Sequence, residues 1–245
     1  MIQFAIQLRQ QLPVRLNNGR WKCLVAAFLI SLFSAAGGVE AAPITAPTDL
    51  NPGDKYRLVF VTSTLIDAMS TDIADYNNFV TGVANGVPEL AALGTTWNVI
   101  GSTASVDARD NTGTNPFFTG VPIYRLDDTR IANNNADLWD GTIQDDLGVD
   151  QNGVATDSVI VWAGTRLDGT AFEPFELGAS DVSLGWLDLA NQIPWMEFGV
   201  HDPSEFLPVF AMSGEITVVP VPSTMILVCF GASGVVAWPR RRRRH

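Results

Sequence analysis

Disulfide capacity is what this chain most lacks. Two cysteines occur in 245 residues, Cys23 and Cys229, and each lies inside an apolar run near one end. The stretch between those runs, 42–218, has none, which excludes a disulfide framework, thiol catalysis and cysteine metal ligation there. Histidine is almost as scarce. His201 is the only one in that stretch, and His245 ends the chain. A multi-histidine metal site or a Ser-His-Asp triad with a spare base is therefore hard to build, and His201, in GVHDPSE, reads as a surface loop residue. There is no Gly-x-Ser-x-Gly elbow, no phosphate loop and no HExxH helix, so catalysis is disfavoured.

Positive charge is missing from the middle of the chain. Residues 42–218 carry six basic residues (Lys55, Arg57, Arg109, Arg125, Arg130, Arg166) against 25 acidic ones, a net charge of −19 where the whole chain has −11. Such a surface repels phosphate backbones and anionic lipid, which excludes nucleic acid as its partner. The other basic residues flank the apolar runs: Arg9, Arg15, Arg20 and Lys22 precede the first, and Arg240, Arg241, Arg242, Arg243 and Arg244 follow the second.

The first flank has the order of a secretion signal. Scattered basic residues to Lys22 lead into CLVAAFLISLF (Cys23–Phe33), and small residues follow, with Val39 and Ala41 forming an A-x-A-like cleavage site for signal peptidase and Ala35–Gly38 offering an earlier alternative. Residues 1–41 are expected to be this signal, leaving 42–218 as one acidic extracytoplasmic domain of about 177 residues, enough for a sizeable core.

The tail, 219–245, reverses the order: VPVPSTM, an apolar stretch from Ile226 to Trp238, then Pro239 and the arginines. Ser223–Trp238, 16 residues, gives about 24 Å of helix, near enough to the roughly 30 Å hydrocarbon core for snorkelling arginines to complete a transmembrane helix. The arginines hold that end in the cytoplasm and leave the domain outside. This tail resembles the PEP-CTERM sorting tails of bacterial envelope proteins, with a motif at Val219, Pro220, Val221, Pro222 and Ser223, a short hydrophobic helix and a terminal arginine cluster. Val221 stands where that motif usually has Glu. The resemblance implies recognition by an exosortase-like transpeptidase, with the protein membrane-anchored or released to the cell surface or extracellular matrix.

Inside the domain, a Pro-rich lead-in to Gly53 precedes a buried strand, Tyr56–Thr62. Ser70-Thr71-Asp72 offers caps for a helix from Asp72 to about Ala84, with Ile73, Tyr76, Phe79, Val80 and Val83 spaced by threes and fours. A short helix over Pro88–Leu93 follows, closed by Gly94. Strands are expected at Trp97–Ile100, from Pro122, at Ser158–Ala163, and at the close over Val209–Met212 and Ile216–Val218. ARDNTGTN (108–115) and Gly164–Thr170 read as turns, and Gln144–Asp157 as a polar loop. Strands with one clear helix make the class α+β, a single domain. The succession VTST, Ile73-Ala74-Asp75, TWNVIGST, ARDNTG, PIYRLD, LWDG and VWAGTRLDGT, over Tyr56–Thr170, resembles the endostatin-like branch of the C-type lectin fold in bacterial surface proteins. The cysteines that commonly tie the long loop region of that fold are missing here.

Few constellations carry chemistry. DDLGVDQNGVATD places Asp145, Asp146, Asp150, Asn152 and Asp157 in one loop with Gly153 at the bend, oxygens of the kind calcium wants; Asp146, Asp150, Asn152 and Asp157 are the candidate ligands. The lectin resemblance would give Asp188, in Trp186-Leu187-Asp188, a ligating carboxylate. Trp97, Trp139, Trp162, Trp186 and Trp195 are of the type that stacks on sugars, though most are expected in the core. The expected function is a non-catalytic ligand-binding or structural module of the envelope or extracellular polysaccharide matrix, binding glycan or calcium. The alternative is a glycan hydrolase using paired carboxylates, Asp137 with Asp140 or Glu173 with Glu176.

Overall fold

In the computed structural model, which describes residues 42–156, 160–187 and 195–219, everything is arranged about one strand. That strand, β1 (Lys55–Val61), is buried from Tyr56 onward on both faces, as its unbroken apolar run requires of a central strand. It pairs in parallel with β3 (Ile123–Arg125) and antiparallel with β8 (Phe210–Ser213), and its start pairs with β9 (Ile216–Thr217). With β2 (Trp97–Val99) outside β8 and β4 (Arg130–Ala132) outside β3, the sheet runs β2-β8-β1-β3-β4. A second, antiparallel sheet of β5 (Ile160–Trp162), β6 (Val182–Trp186) and β7 (Gly199–His201) runs in that order.

The period-2 alternation of β1 divides the core. Tyr56, Leu58 and Phe60 point into one cluster with Tyr76, Val80, Ala84, Trp97 and Trp162. Val59 and Val61 point into the other, with Ile123, Ile131, Trp139, Trp195 and Phe210. Helix α1 (Ile73–Asn85) covers the first cluster with Tyr76, Val80 and Ala84, one stripe at spacings of four. Its cap is the predicted one: the Asp72 carboxylate accepts from Ala74 N at 2.9 Å. Three one-turn helices follow, α2 (Pro88–Ala91), α3 (Ala108–Asn111) and α4 (Asn135–Leu138). The α+β class expected from the sequence is what the chain forms.

Two polar ties replace covalent ones. Asn77 of α1, Asn98 of β2 and Asn111 of α3 form an amide network in which Val99 N donates to Asn77 Oδ1 (2.9 Å) and Asn111 Nδ2 donates to Val99 O (2.8 Å). Asn98 Nδ2 donates to Asn111 O at 2.8 Å. Trp162, wholly buried, ties β5 to the segment after β1 by donating Nε1 to Ile66 O at 3.0 Å.

Three expectations are corrected. ARDNTGTN contains a helical turn, α3, because Asn111 N and Thr112 N reach back to Asp107 O and Ala108 O. Strands β6 and β7 lie where only turns and short apolar pieces were read, since VSLGW and GVH are too short and too rich in Gly to announce a strand. His201 is exposed as expected but ends edge strand β7, its ring 6.3 Å from that of Trp162, instead of lying in a loop. Among the described residues no helix is long and apolar enough to cross a membrane; the expected tail helix lies outside them, as does the signal segment.

Candidate functional site

The acidic loop is stitched to the end of β1. Val61 N donates to Val149 O at 2.9 Å, and Gln151 clamps Ser63, accepting from its N (3.0 Å) and donating to its hydroxyl (2.5 Å). Asp150 shapes the turn itself: Oδ1 accepts from Asn152 N (2.9 Å) and Val154 N (3.0 Å), and Oδ2 accepts from Asn152 Nδ2 (3.1 Å). Asp146 faces elsewhere, 2.5 Å from Arg125 Nη1. Arg125 also holds Asp127 through Nε (2.9 Å) and Nη2 (2.6 Å), and Asp145 lies 3.6 Å from Nη1. Burial works against the charge on Arg125, but Asp127, Asp146 and Asp145 outweigh it and raise the guanidinium pKa. Of the candidate calcium ligands, then, Asp146 is turned to a guanidinium, Asp150 and Asn152 to each other, and Asp157 lies outside the described residues. Among those residues no group of three or more His, Cys, Asp or Glu side chains is disposed to hold a metal ion.

The nominated carboxylate pairs are spent on local structure or set apart. Asp137 Oδ2 accepts from Asn133 N (2.6 Å), Asn133 Nδ2 (2.9 Å) and Gln144 Nε2 (2.7 Å), while Asp140 Oδ1 accepts from the N and hydroxyl of Thr142, both at 3.0 Å. Glu173 is exposed, whereas Glu176 keeps one carboxyl oxygen buried without a hydrogen-bond partner among the described residues. Among the described residues, the carboxylates whose pKa departs from the ordinary value move down. For Asp49, Asp127 and Asp168, burial opposes ionisation and is outweighed by hydrogen bonds from Tyr124 and Arg130, from Arg125, and from Thr170 respectively. Asp202 is lowered by the backbone and hydroxyl of Ser204. A glycosidase acid needs the opposite displacement.

Four of the five domain tryptophans are core: Trp97, Trp139, Trp162 and Trp195 are buried. Trp186 is half-buried and its ring centroid lies 4.2 Å from that of Phe198. Asp188 lies outside the described residues, as do Pro220, Val221, Pro222, Ser223 and Arg240–Arg244. Val219, the first residue of the sorting motif, is exposed.

What the sequence reading missed is a groove of about 550 Å³ on the outer side of α1. Asn78, Phe79, Gly82 and Val83 form its helical wall, continued by Gly86 and Val87; Thr64 and the tip of the acidic loop, Gln151 and Asn152, form the other. The amphipathic pattern of α1 explains the wall. With Tyr76, Val80 and Ala84 committed inward, Phe79 and Val83 sit at the stripe's border, half-buried, and two glycines four residues apart leave a channel beside them. The signal available in the sequence was Gly82, a glycine inside a helix otherwise well specified and a costly choice without a use for the space, whereas Gly86 is the helix's C-cap.

No protein-family model matches this chain, and no curated protein matches it either.

Proposed function

We propose that this is an exported cell-envelope protein whose acidic domain is a non-catalytic ligand-binding or structural module with a C-type-lectin-like, endostatin-like fold. Signal peptidase releases it from residues 1–41, the hydrophobic helix of 219–245 holds it in the membrane, and an exosortase-like enzyme acts at the 219–223 motif. Its surroundings are the cell surface and extracellular polysaccharide. The observation that carries the reading is the charge partition: nine of the 15 basic residues flank the two apolar runs while the domain between holds 25 of the 26 acidic ones. That is the arrangement of an exported segment between two cytoplasm-facing flanks. The lectin-like fold is supported by the helix that directly follows β1 and by the long stretch of short strands and one-turn helices after β2. The non-catalytic reading is supported by Asp137 and Asp140, each of which has one carboxylate oxygen engaged by neighbouring groups of the chain.

A reporter active only outside the cytoplasm, fused after Val218, tests the export reading. Signal is expected from the wild-type chain and should vanish when Cys23–Phe33 is deleted; signal surviving that deletion refutes it. Replacing Arg240–Arg244 by Ala should displace the protein from the envelope fraction. Release of reducing sugar from envelope polysaccharide, lost in Asp137→Asn or Glu176→Gln, would establish the hydrolase instead.

A further inference from the structure

The groove beside α1 differs from the rest of the domain in one respect that identifies its ligand: none of its lining residues is charged. In a segment with 25 acidic residues this is an island of neutral chemistry. We propose that the groove binds a neutral saccharide, an inference that rests on the module reading and gives that module its ligand class.

The chemistry of the walls carries it. A sugar ring presents a C–H face that packs on aromatic carbon and a rim of hydroxyls that both donate and accept. Half-buried Phe79, with Val83, supplies the apolar surface, and Val87 closes its end. The polar groups beside it are of the matching kind. The Asn78 amide has no protein partner among the described residues, so it offers a donor and an acceptor together. Asn152 spends Nδ2 on Asp150 and has no partner for Oδ1 among the described residues, while Asp150 and Gln151 hold the turn that presents it. The Thr64 hydroxyl adds a rotatable donor and acceptor from the opposite wall. A volume of about 550 Å³ lies within the usual range for small-ligand sites. Charge selects among saccharides: with no cation in the groove and a domain charge of −19, uronates and other acidic sugars meet only repulsion.

Gly82 provides a test that spares the fold. A Cβ built there meets nothing within 4 Å, so Gly82→Leu fills the groove while improving helix propensity. The full chain, solubilised in a polyoxyethylene detergent that carries no sugar headgroup, is titrated calorimetrically with short neutral oligosaccharides (glucan, mannan and galactan series), a uronate oligomer and an apolar peptide. The wild-type protein is expected to bind at least one neutral series. Gly82→Leu should weaken it by about tenfold or more, and Asn78→Ala by a smaller factor, with neither lowering the melting temperature. Neutral-sugar binding that Gly82→Leu leaves unchanged would overturn the groove assignment and keep the module. Preference for the uronate or the peptide, or no neutral-sugar binding at all, would overturn the assignment too, and the reporter fusion then decides separately whether the export reading stands.

Discussion

Arg125→Met removes the one cation that three carboxylates share, and its cost follows from how each group is buried. The guanidinium side chain is 11% exposed, and Asp127, Asp145 and Asp146 are 33%, 48% and 43% exposed. Breaking a fully buried ion pair costs about 3–5 kcal/mol, and an exposed one is worth about 0–1 kcal/mol. A buried cation facing half-exposed anions falls between, so the variant should lose about 2–3 kcal/mol. At a urea m-value of about 2 kcal/mol/M, that lowers the unfolding midpoint by about 1 M with m unchanged. Calcium then separates two pictures of the acidic loop. Among the described residues no three carboxylates are disposed to hold a metal ion, so calcium and magnesium at equal ionic strength should act alike on the wild type and on the variant. The assay is urea unfolding followed by tryptophan fluorescence. A loss below about 0.5 kcal/mol, or a calcium-specific gain in either protein, would refute the reasoning.

Three further outcomes are expected. Because the folded-state pKa values of Asp127, Asp49 and Asp168 are depressed, the unfolded chain binds more protons; their contribution is full above the unfolded value of about 3.9 and is lost as pH falls through the folded values. Asp127→Asn should therefore flatten the acid limb of the stability profile, and an unaltered limb would show that Arg125 does not depress this carboxyl. Monovalent salt should raise the melting temperature modestly by screening a domain charge of −19, and reductant should leave it unchanged; a fall with salt would contradict the self-repulsion argument. Gly164→Ala should cost more than about 3 kcal/mol, since φ is +62° and the new Cβ would lie 2.5 Å from Leu177 N and 2.7 Å from Ser102 O; a stable variant would mean that this backbone gives way.

How legible the chain was depended on the range of the forces involved. Helix α1 was readable because its cap and its stripe are local, Asp72 two residues from Ala74 and Tyr76 four from Val80. β1 was readable because burial on both faces demands an unbroken apolar run. β6 was not: its glycine and serine are tolerated only because Gly185 lies against Trp195 O, where a Cβ would stand at 2.8 Å, a contact the local sequence does not encode. The acidic loop shows the same limit at the site level. Its oxygens were visible, but Arg125, about twenty residues upstream, determines where Asp146 points. The groove was hidden for a related reason. Gly82 within the helix and Gly86 at its C-cap mark a space, and only the fold brings Asn152 and Thr64 to it to give the space a chemistry.

The proposed cleavage near Ala41 can be tested against what the lead-in does. Pro43 is buried, and its Cα lies 2.9 Å from where a Cβ at Gly153 would stand, so the acidic loop needs glycine there for contact as well as for its φ of +78°. Ile44 N donates to Leu126 O at 2.7 Å, Thr45 O accepts from the Tyr56 hydroxyl at 2.5 Å, and Thr48 is held by the Asp128 carboxylate. At the other end Gly53 N donates to Val218 O and Val218 N to Asp54 O, both at 2.9 Å, so the strap is fixed on both sides of a domain without disulfides. A cut after Ala41 leaves all of these contacts in place. A cut beyond Ile44 would remove its hydrogen bond and the Pro43 burial, together worth about 1–3 kcal/mol. N-terminal sequencing of the exported form should therefore begin no later than Pro43, and a chain shortened to begin at Pro47 should unfold at lower urea by a corresponding amount. A mature form starting beyond Ile44 with undiminished stability would show that the strap is not part of what holds the domain closed.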